Sequence, residues 1–162
     1  MMLCASPTTL SDTKHLYHSG GFNSHLVSMA AGSELLRLHD QVAVKSLCNK
    51  GEELSDRLRE GIARVQQDYP EFRGQILQEG PILQIHFGGH PIVSAEDVSK
   101  GAEHTLAWYQ ELLLRGFLTT PGVLVLLSLA QTDARHDAFV MAHDGVLRTI
   151  ARNMRIGKLG QF

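Results

Sequence analysis

Cysteine is scarce in this chain of 162 residues: Cys4 and Cys48 are the two present, and they form no CxxC pair. That usage suits a reducing compartment in which thiols stay free. No stretch is apolar for long enough to span a membrane. The longest strongly apolar run, Val123 to Ala130, is interrupted by Ser128 and falls far short of the roughly 20 residues that a spanning helix needs, so it reads as a buried strand. Neither sign of charge dominates: the formal net charge is −2 and the lysines and arginines are scattered, which offers no footprint for nucleic acid or for an anionic membrane. The first residues lack the basic start and continuous apolar stretch of a secretory signal, and the expected location is the cytoplasm. No internal repeat or low-complexity segment is present. Core material is plentiful, with 43% of residues hydrophobic, enough for one core.

Periodicity orders that material into three regions: 1–22 as an irregular lead-in, 23–69 as a long helical segment, and 70–162 as a small α+β domain. From Ser24, apolar residues at Val27, Ala31, Leu35 and Leu38 repeat at helical spacing, widened by Leu26, Met29 and Ala30, which predicts a well-buried helix. A second helix is expected from about Asp40, with Val44, Leu47, Gly51, Leu54, Leu58, Ile62 and Val65 on one face, ended by Tyr69 and Pro70. Gln75–Leu77 and Ile82–Phe87 alternate as strands around Gly80 and Pro81. Ser94 and Asp97 carry a capping-box-like signature for a helix with Val98, Ala102, Leu106, Tyr109 and Leu113 on one side, stopped by Gly116. Phe117–Thr119 and Val123–Leu129 are two further strand candidates. Thr132 and Asp133 open a last helix striped by Phe139, Val146, Ile150 and Met154. The fold class is α+β: long helices, then a small mixed or antiparallel sheet packed with helices.

The segment His18 to Gly32, HSGGFNSHLVSMAAG, carries the clearest chemistry. Gly20 and Gly21 let backbone approach a bound group closely, and Asn23 suits the N-cap of the helix that follows. Free N–H groups and the positive end of the helix dipole there suit a phosphate; the competing reading is an ordinary glycine turn and helix cap. Other constellations read more plainly. Nine histidines, among them His15, His18, His25, His86 and His90, lack the cysteine or carboxylate neighbours that a zinc set requires, so no metal is expected. Ser128, His136 and Asp133 can be written as a nucleophile, base and orienting acid, but without a nucleophile-elbow glycine pattern a buried hydroxyl and a helix cap fit them better. Glu52, Glu53, Asp56 and Glu60, interleaved with Arg57 and Arg59, read as a solvated salt-bridge face. Trp108 and Tyr109 fit packing or an interface.

The HSGGFN segment resembles the loop shortly after the cofactor lysine in class III pyridoxal-phosphate-dependent aminotransferases, in particular their glutamate-1-semialdehyde aminomutase branch. GEELSDRLREGI (Gly51–Ile62) and RGFLTTPGVLVLLSLAQTD (Arg115–Asp133) follow in the order of that family's C-terminal portion. The resemblance implies pyridoxal 5′-phosphate as cofactor, with Gly20, Gly21, Phe22 and Asn23 contacting its phosphate across a dimer interface. It also implies a small amine or carbonyl substrate, and a homo-oligomer or a large-domain partner. Gly21 stands where the family has a phosphate-binding threonine, which removes one hydrogen bond on the order of 1.5–3 kcal/mol. None of Lys14, Lys45, Lys50, Lys100 and Lys158 sits in the context of the family's Schiff-base lysine. The expectation is therefore a truncated, split or degenerate relative that is inactive alone; the alternative is a non-catalytic dimerisation or docking module built on the same fold.

Overall fold

A computed structural model describes residues 25–99, 101–119 and 124–155, and the chain divides into two compact units, Met1–Asp40 and Gln41–Phe162. The described part of the first unit is helix α1, Leu26–Leu38. His25 caps it: the backbone there is extended, and Nδ1 accepts from the Ser28 N–H at 3.4 Å. The apolar pattern predicts a buried helix, yet α1 contains no buried residue, and Leu26, Val27, Met29, Leu35, Leu36 and Leu38 are each more than half exposed.

In the second unit, helix α2 (Gln41–Asp68) buries Leu47, Gly51, Leu54, Ser55, Leu58, Gly61, Ile62 and Val65, the stripe that a 3.6-residue period selects. Val44 departs from expectation and remains exposed. Strands β1 (Gly74–Glu79) and β2 (Ile82–Phe87) pair as a hairpin in which Glu79 faces Ile82, and Gly80 takes the positive φ of +52° that a two-residue turn requires. Helix α3 (Ala95–Ser99) and helix α4 (Ala102–Leu114) come next. Strand β3 (Leu124–Leu126) pairs antiparallel with β2, giving a three-stranded sheet of order β1-β2-β3. Helix α5 (Asp133–Arg155) closes the unit.

Three expectations are corrected between residues 94 and 126. The anticipated single helix after Ser94 is broken at Gly101, whose φ of +94° is left-handed and where a Cβ would overlap the Phe87 carbonyl. Asp97 does accept from the Ser94 backbone N–H (3.0 Å) and hydroxyl (2.9 Å), as its capping signature predicts. Beyond the break, α4 buries Ala107, Trp108 and Leu112 and leaves Leu106 and Leu113 exposed, so the inward stripe is made of the neighbours of the residues expected there. Phe117–Thr119 is not a strand. Instead Gly116 (φ +84°) closes α4, with its N–H bonded to Leu113 O and the Phe117 N–H to Leu112 O, a Schellman termination. The Phe117 ring then packs on Phe139 at 5.4 Å.

Leu83, Ile85 and Phe87 face Ile76 and Val125 across the register and form the inner sheet face. Helices α2 and α5 run parallel, as four ion pairs at nearly constant sequence separation establish: Lys50–Asp133, Arg57–Asp137, Arg64–Asp144 and Asp68–Arg148. Partly exposed pairs of this kind contribute about 0–1 kcal/mol each, so their chief effect is on register.

Where α2, α4 and α5 meet lies His143, fully buried. Trp108 Nε1–H, which can only donate, bonds His143 Nδ1 at 3.0 Å, and this leaves Nε2–H to face the Leu58 carbonyl at 3.3 Å. Burial lowers the pKa of the ring to about 4, against the partial opposition of Asp144 and the Leu58 carbonyl.

Below about pH 6.5 the unfolded chain takes up a proton at residue 143 that the folded chain refuses until about pH 4. Stability is therefore expected to be full above that window and to fall through it by up to about 3 kcal/mol, with His86, also lowered by burial, adding in the same sense. Urea unfolding across this pH range checks the slope, and His143→Gln is expected to flatten it. A Cβ at Gly51 would overlap the Gly80 carbonyl at the hairpin turn. Gly51→Ala is accordingly expected to destabilise by about 1–3 kcal/mol, reversing the roughly 1 kcal/mol gain that helix propensity alone would give, as read by thermal or urea unfolding.

Candidate functional site

Gly20, Gly21, Phe22 and Asn23, the phosphate-contact candidates of the sequence, lie outside the described residues, as do His15 and His18. The cap of α1 falls to His25, two positions beyond Asn23. The described lysines Lys45 and Lys50 both sit on α2; Lys45 is exposed, and Lys50 Nζ is 2.7 Å from Asp133 Oδ1. Neither occupies the desolvated pocket that activates an amine for Schiff-base chemistry, so the described residues do not by themselves fit a covalent pyridoxal-phosphate site. Lys14, Lys100 and Lys158 are outside them.

The remaining sequence candidates resolve into structural roles. Ser128 is exposed, not buried as expected; its Oγ accepts from the Ala130 N–H at 3.2 Å, and its own N–H donates to Gln131 Oε1 at 3.1 Å, which makes it a turn residue. Asp133 is held by Lys50, an interaction that lowers its pKa, and His136 Nε2 lies 3.4 Å from Gln131 Oε1. Thr132 Oγ1 caps α5 by accepting from the Arg135 N–H. His86 is buried on β2 with Nε2 unpartnered, and His90 is exposed. Among the described residues no three His, Cys, Asp or Glu side chains converge as a metal site would need. On the acidic face of α2, Asp56 pairs with Arg59 at 2.9 Å and Glu60 with Arg64 at 3.7 Å, while Arg57 reaches Asp137 on α5; the solvated face is as the sequence suggests.

Sequence reasoning missed His143, although it falls at the i+4 position of the very stripe that Phe139 opens. The other unforeseen feature is the outer face of the sheet, where Leu77, Ile82, Leu124 and Leu126 share one side in the register and are each more than a third exposed. Together with the exposed α1 and the exposed Val42 and Val44 at the start of α2, it gives each unit apolar surface of the kind that proteins reserve for contact. No described helix is long and apolar enough to cross a membrane.

No family model matches the chain. The β-phenylalanine transaminase of Variovorax paradoxus is 33% identical over 138 residues, which are 80% of this chain and 29% of that protein. The solved structure of the β-phenylalanine aminotransferase from that organism superposes with a TM-score of 0.67, covering 87% of this chain and 31% of that one at 29% identity. Glutamate-1-semialdehyde 2,1-aminomutase of Methanothermobacter thermautotrophicus is 27% identical over 141 residues, 85% of this chain and 32% of that protein. A transaminase solved with PLP bound shares the fold at a TM-score of 0.69 and 21% identity, over 86% of this chain and 31% of that one. The chain thus spans about 30% of the length of the proteins it matches, and the likeness favours the transaminase reading over a stand-alone docking module.

With Ser128 solvent-exposed in a turn, fluorophosphonate treatment is expected to leave the intact mass of the chain unchanged; a single stoichiometric adduct at Ser128 would restore the nucleophile reading.

Proposed function

We infer that this chain, which resembles pyridoxal-phosphate-dependent aminotransferases and aminomutases over about 30% of their length, supplies the accessory C-terminal part of such an enzyme. Amino-group transfer between a small amine and a carbonyl compound takes place in the assembly that it completes. The observation that carries this reading is the likeness itself: 80% of the chain aligns with one transaminase. The α+β architecture agrees with it. In the proposed role Gly20, Gly21, Phe22 and Asn23 offer backbone N–H groups to the cofactor phosphate, while the amine that bonds the cofactor comes from elsewhere in the assembly. The cofactor, when bound, supplies the electron sink for the chemistry. Exposed α1 and the outer sheet face are the surfaces proposed to meet a second copy, in a dimer, or a large-domain partner, in the cytoplasm.

A visible-absorbance titration of the purified chain with pyridoxal phosphate, followed by borohydride reduction and peptide mapping, tests this reading. Weak, saturable binding that inorganic phosphate displaces, with scattered lysine labelling, is the expected result. Stoichiometric attachment at one lysine would overturn the accessory role, and absence of phosphate-competitive binding would overturn the phosphate-loop assignment.

A further inference from the structure

On the flank where α4 meets the last turns of α5 lies a cavity of about 400 Å³, within the usual range for ligand-sized sites. Ala107 and Ile150, both buried, form its floor, and Leu114, 82% exposed, stands at its edge. One charged side chain lines it, Glu111, and that carboxylate is paired with Arg115 one turn on. Thr149 is also engaged, its hydroxyl donating to the Gly145 carbonyl at 3.0 Å. The polar groups left over are two side-chain amides, Gln110 on α4 and Asn153 on α5. An amide both donates and accepts, so one on each helix beside an apolar floor suits neither an ion nor a bare hydrocarbon. It suits polypeptide, whose backbone offers N–H and C=O groups while its side chains fill the floor.

The nearest polypeptide is the chain itself. Asn153 stands three residues before Ile156, the first of the seven residues IGKLGQF (156–162) that lie outside the described ones. The α5 side of the cavity, from Thr149 to Asn153, is about 6 Å long at helical rise, and seven extended residues reach about 23 Å, enough to reverse and run back along it. Gly157 supplies the conformational freedom that a reversal just past a helix needs. Beyond it Leu159 and Phe162 are three residues apart, the spacing that puts side chains on one side of a polyproline-type chain. Lys158 is the one charged side chain of the segment, which agrees with a site whose one charge is a carboxylate.

We propose that residues 156–162 fold back over the end of α5 and seat Leu159 and Phe162 in this cavity, their backbone hydrogen-bonded to the Gln110 and Asn153 amides. A tethered segment meets the site at an effective concentration of about millimolar, whereas a site whose single charge is already paired has no long-range field to draw a separate partner. The assignment needs neither pyridoxal phosphate nor a partner domain, and it is independent of the transaminase reading.

NMR of the full chain with labelled methyl groups and phenylalanine rings tests it. Nuclear Overhauser contacts are expected from the Phe162 ring and the Leu159 methyls to the Leu114 and Ile150 methyls, with amide order parameters of about 0.8 at Leu159, Gly160 and Gln161, close to those of rigid backbone. Leu114→Asp is expected to abolish those contacts and to lower the order parameters below about 0.6. The methyl signals of the fully buried Val146 and Leu147 should stay in place in that variant, which separates an undocked segment from an unfolded chain. Met141→Asp, at a similarly exposed position of α5 outside the cavity, should leave the contacts intact. A mixture of labelled and unlabelled chains identifies the occupant: contacts seen only between chains would assign the cavity to a second copy and overturn the proposal. Absence of the contacts in the parent, or their survival in Leu114→Asp, would overturn it equally.

Discussion

One imidazole ring with both nitrogens engaged sets the geometry of the larger unit. His143 accepts a hydrogen bond from the Trp108 indole on α4 and donates one to the Leu58 carbonyl on α2 while itself riding on α5. The two bonds together admit a single tautomer, and they are directional, whereas the apolar contacts around them are not. Trp108 stacks edge-on against both His143 and Phe139, at 5.9 and 6.3 Å, so moving any one of the three helices leaves a buried donor or acceptor unpaired. Such an orphan costs about 1–3 kcal/mol, a large share of the stability of a small domain. With the helices fixed, the inner face of the sheet has one depth at which it can sit against them, and Gly51 lets the β1–β2 turn come within contact of α2.

Against this closely packed interior, the apolar surface left outside is conspicuous for where it lies. Helix α2 is covered over the length of its stripe from Leu47 to Val65, while its first turn and the whole of α1 are not. The same contrast runs through the sheet, with Leu83 and Ile85 fully buried on one face and Ile82 and Leu126 open on the other. A surface with one finished and one unfinished side suits a part of a larger assembly, in keeping with a chain that aligns with about a third of longer transaminases.

Elements with one clear hydrophobic stripe were legible from the sequence. Helix α2 ends where Tyr69 and Pro70 require, α5 starts at the Thr132 cap, and the β1–β2 hairpin follows from its alternation around Gly80. Helix α4 was harder because leucines and alanines surround it on several sides, from Leu106 to Leu114, and periodicity alone could not choose among stripes; the bulk of Trp108 and its bond to His143 decide the phase. Gly101 was opaque for a different reason, since its break reflects the Phe87 carbonyl, which comes from another element altogether. Phe117–Thr119 has strand-like composition, but its leading ring is claimed by Phe139. At the level of chemistry, the glycine-rich segment and the two later motifs pointed by resemblance to the aminotransferases that the chain matches over about 30% of their length, whereas the ion pairs between α2 and α5 were invisible because they join residues 80 and more apart.

That same spacing governs how the protein must be made. The helices α2 and α5 that pair along their length are about 80 residues apart in the chain, so the apolar stripe of α2 leaves the ribosome long before the surface that covers it. At 5–20 residues per second the interval is roughly 4–16 s, far longer than the microseconds in which an isolated helix forms. During synthesis the stripe of α2 is therefore without the surface that covers it in the mature unit, the state in which exposed apolar surface favours association with other chains. The parallel arrangement that gives the mature unit its register thus carries a high contact order, and it makes the order of synthesis itself a condition of correct assembly.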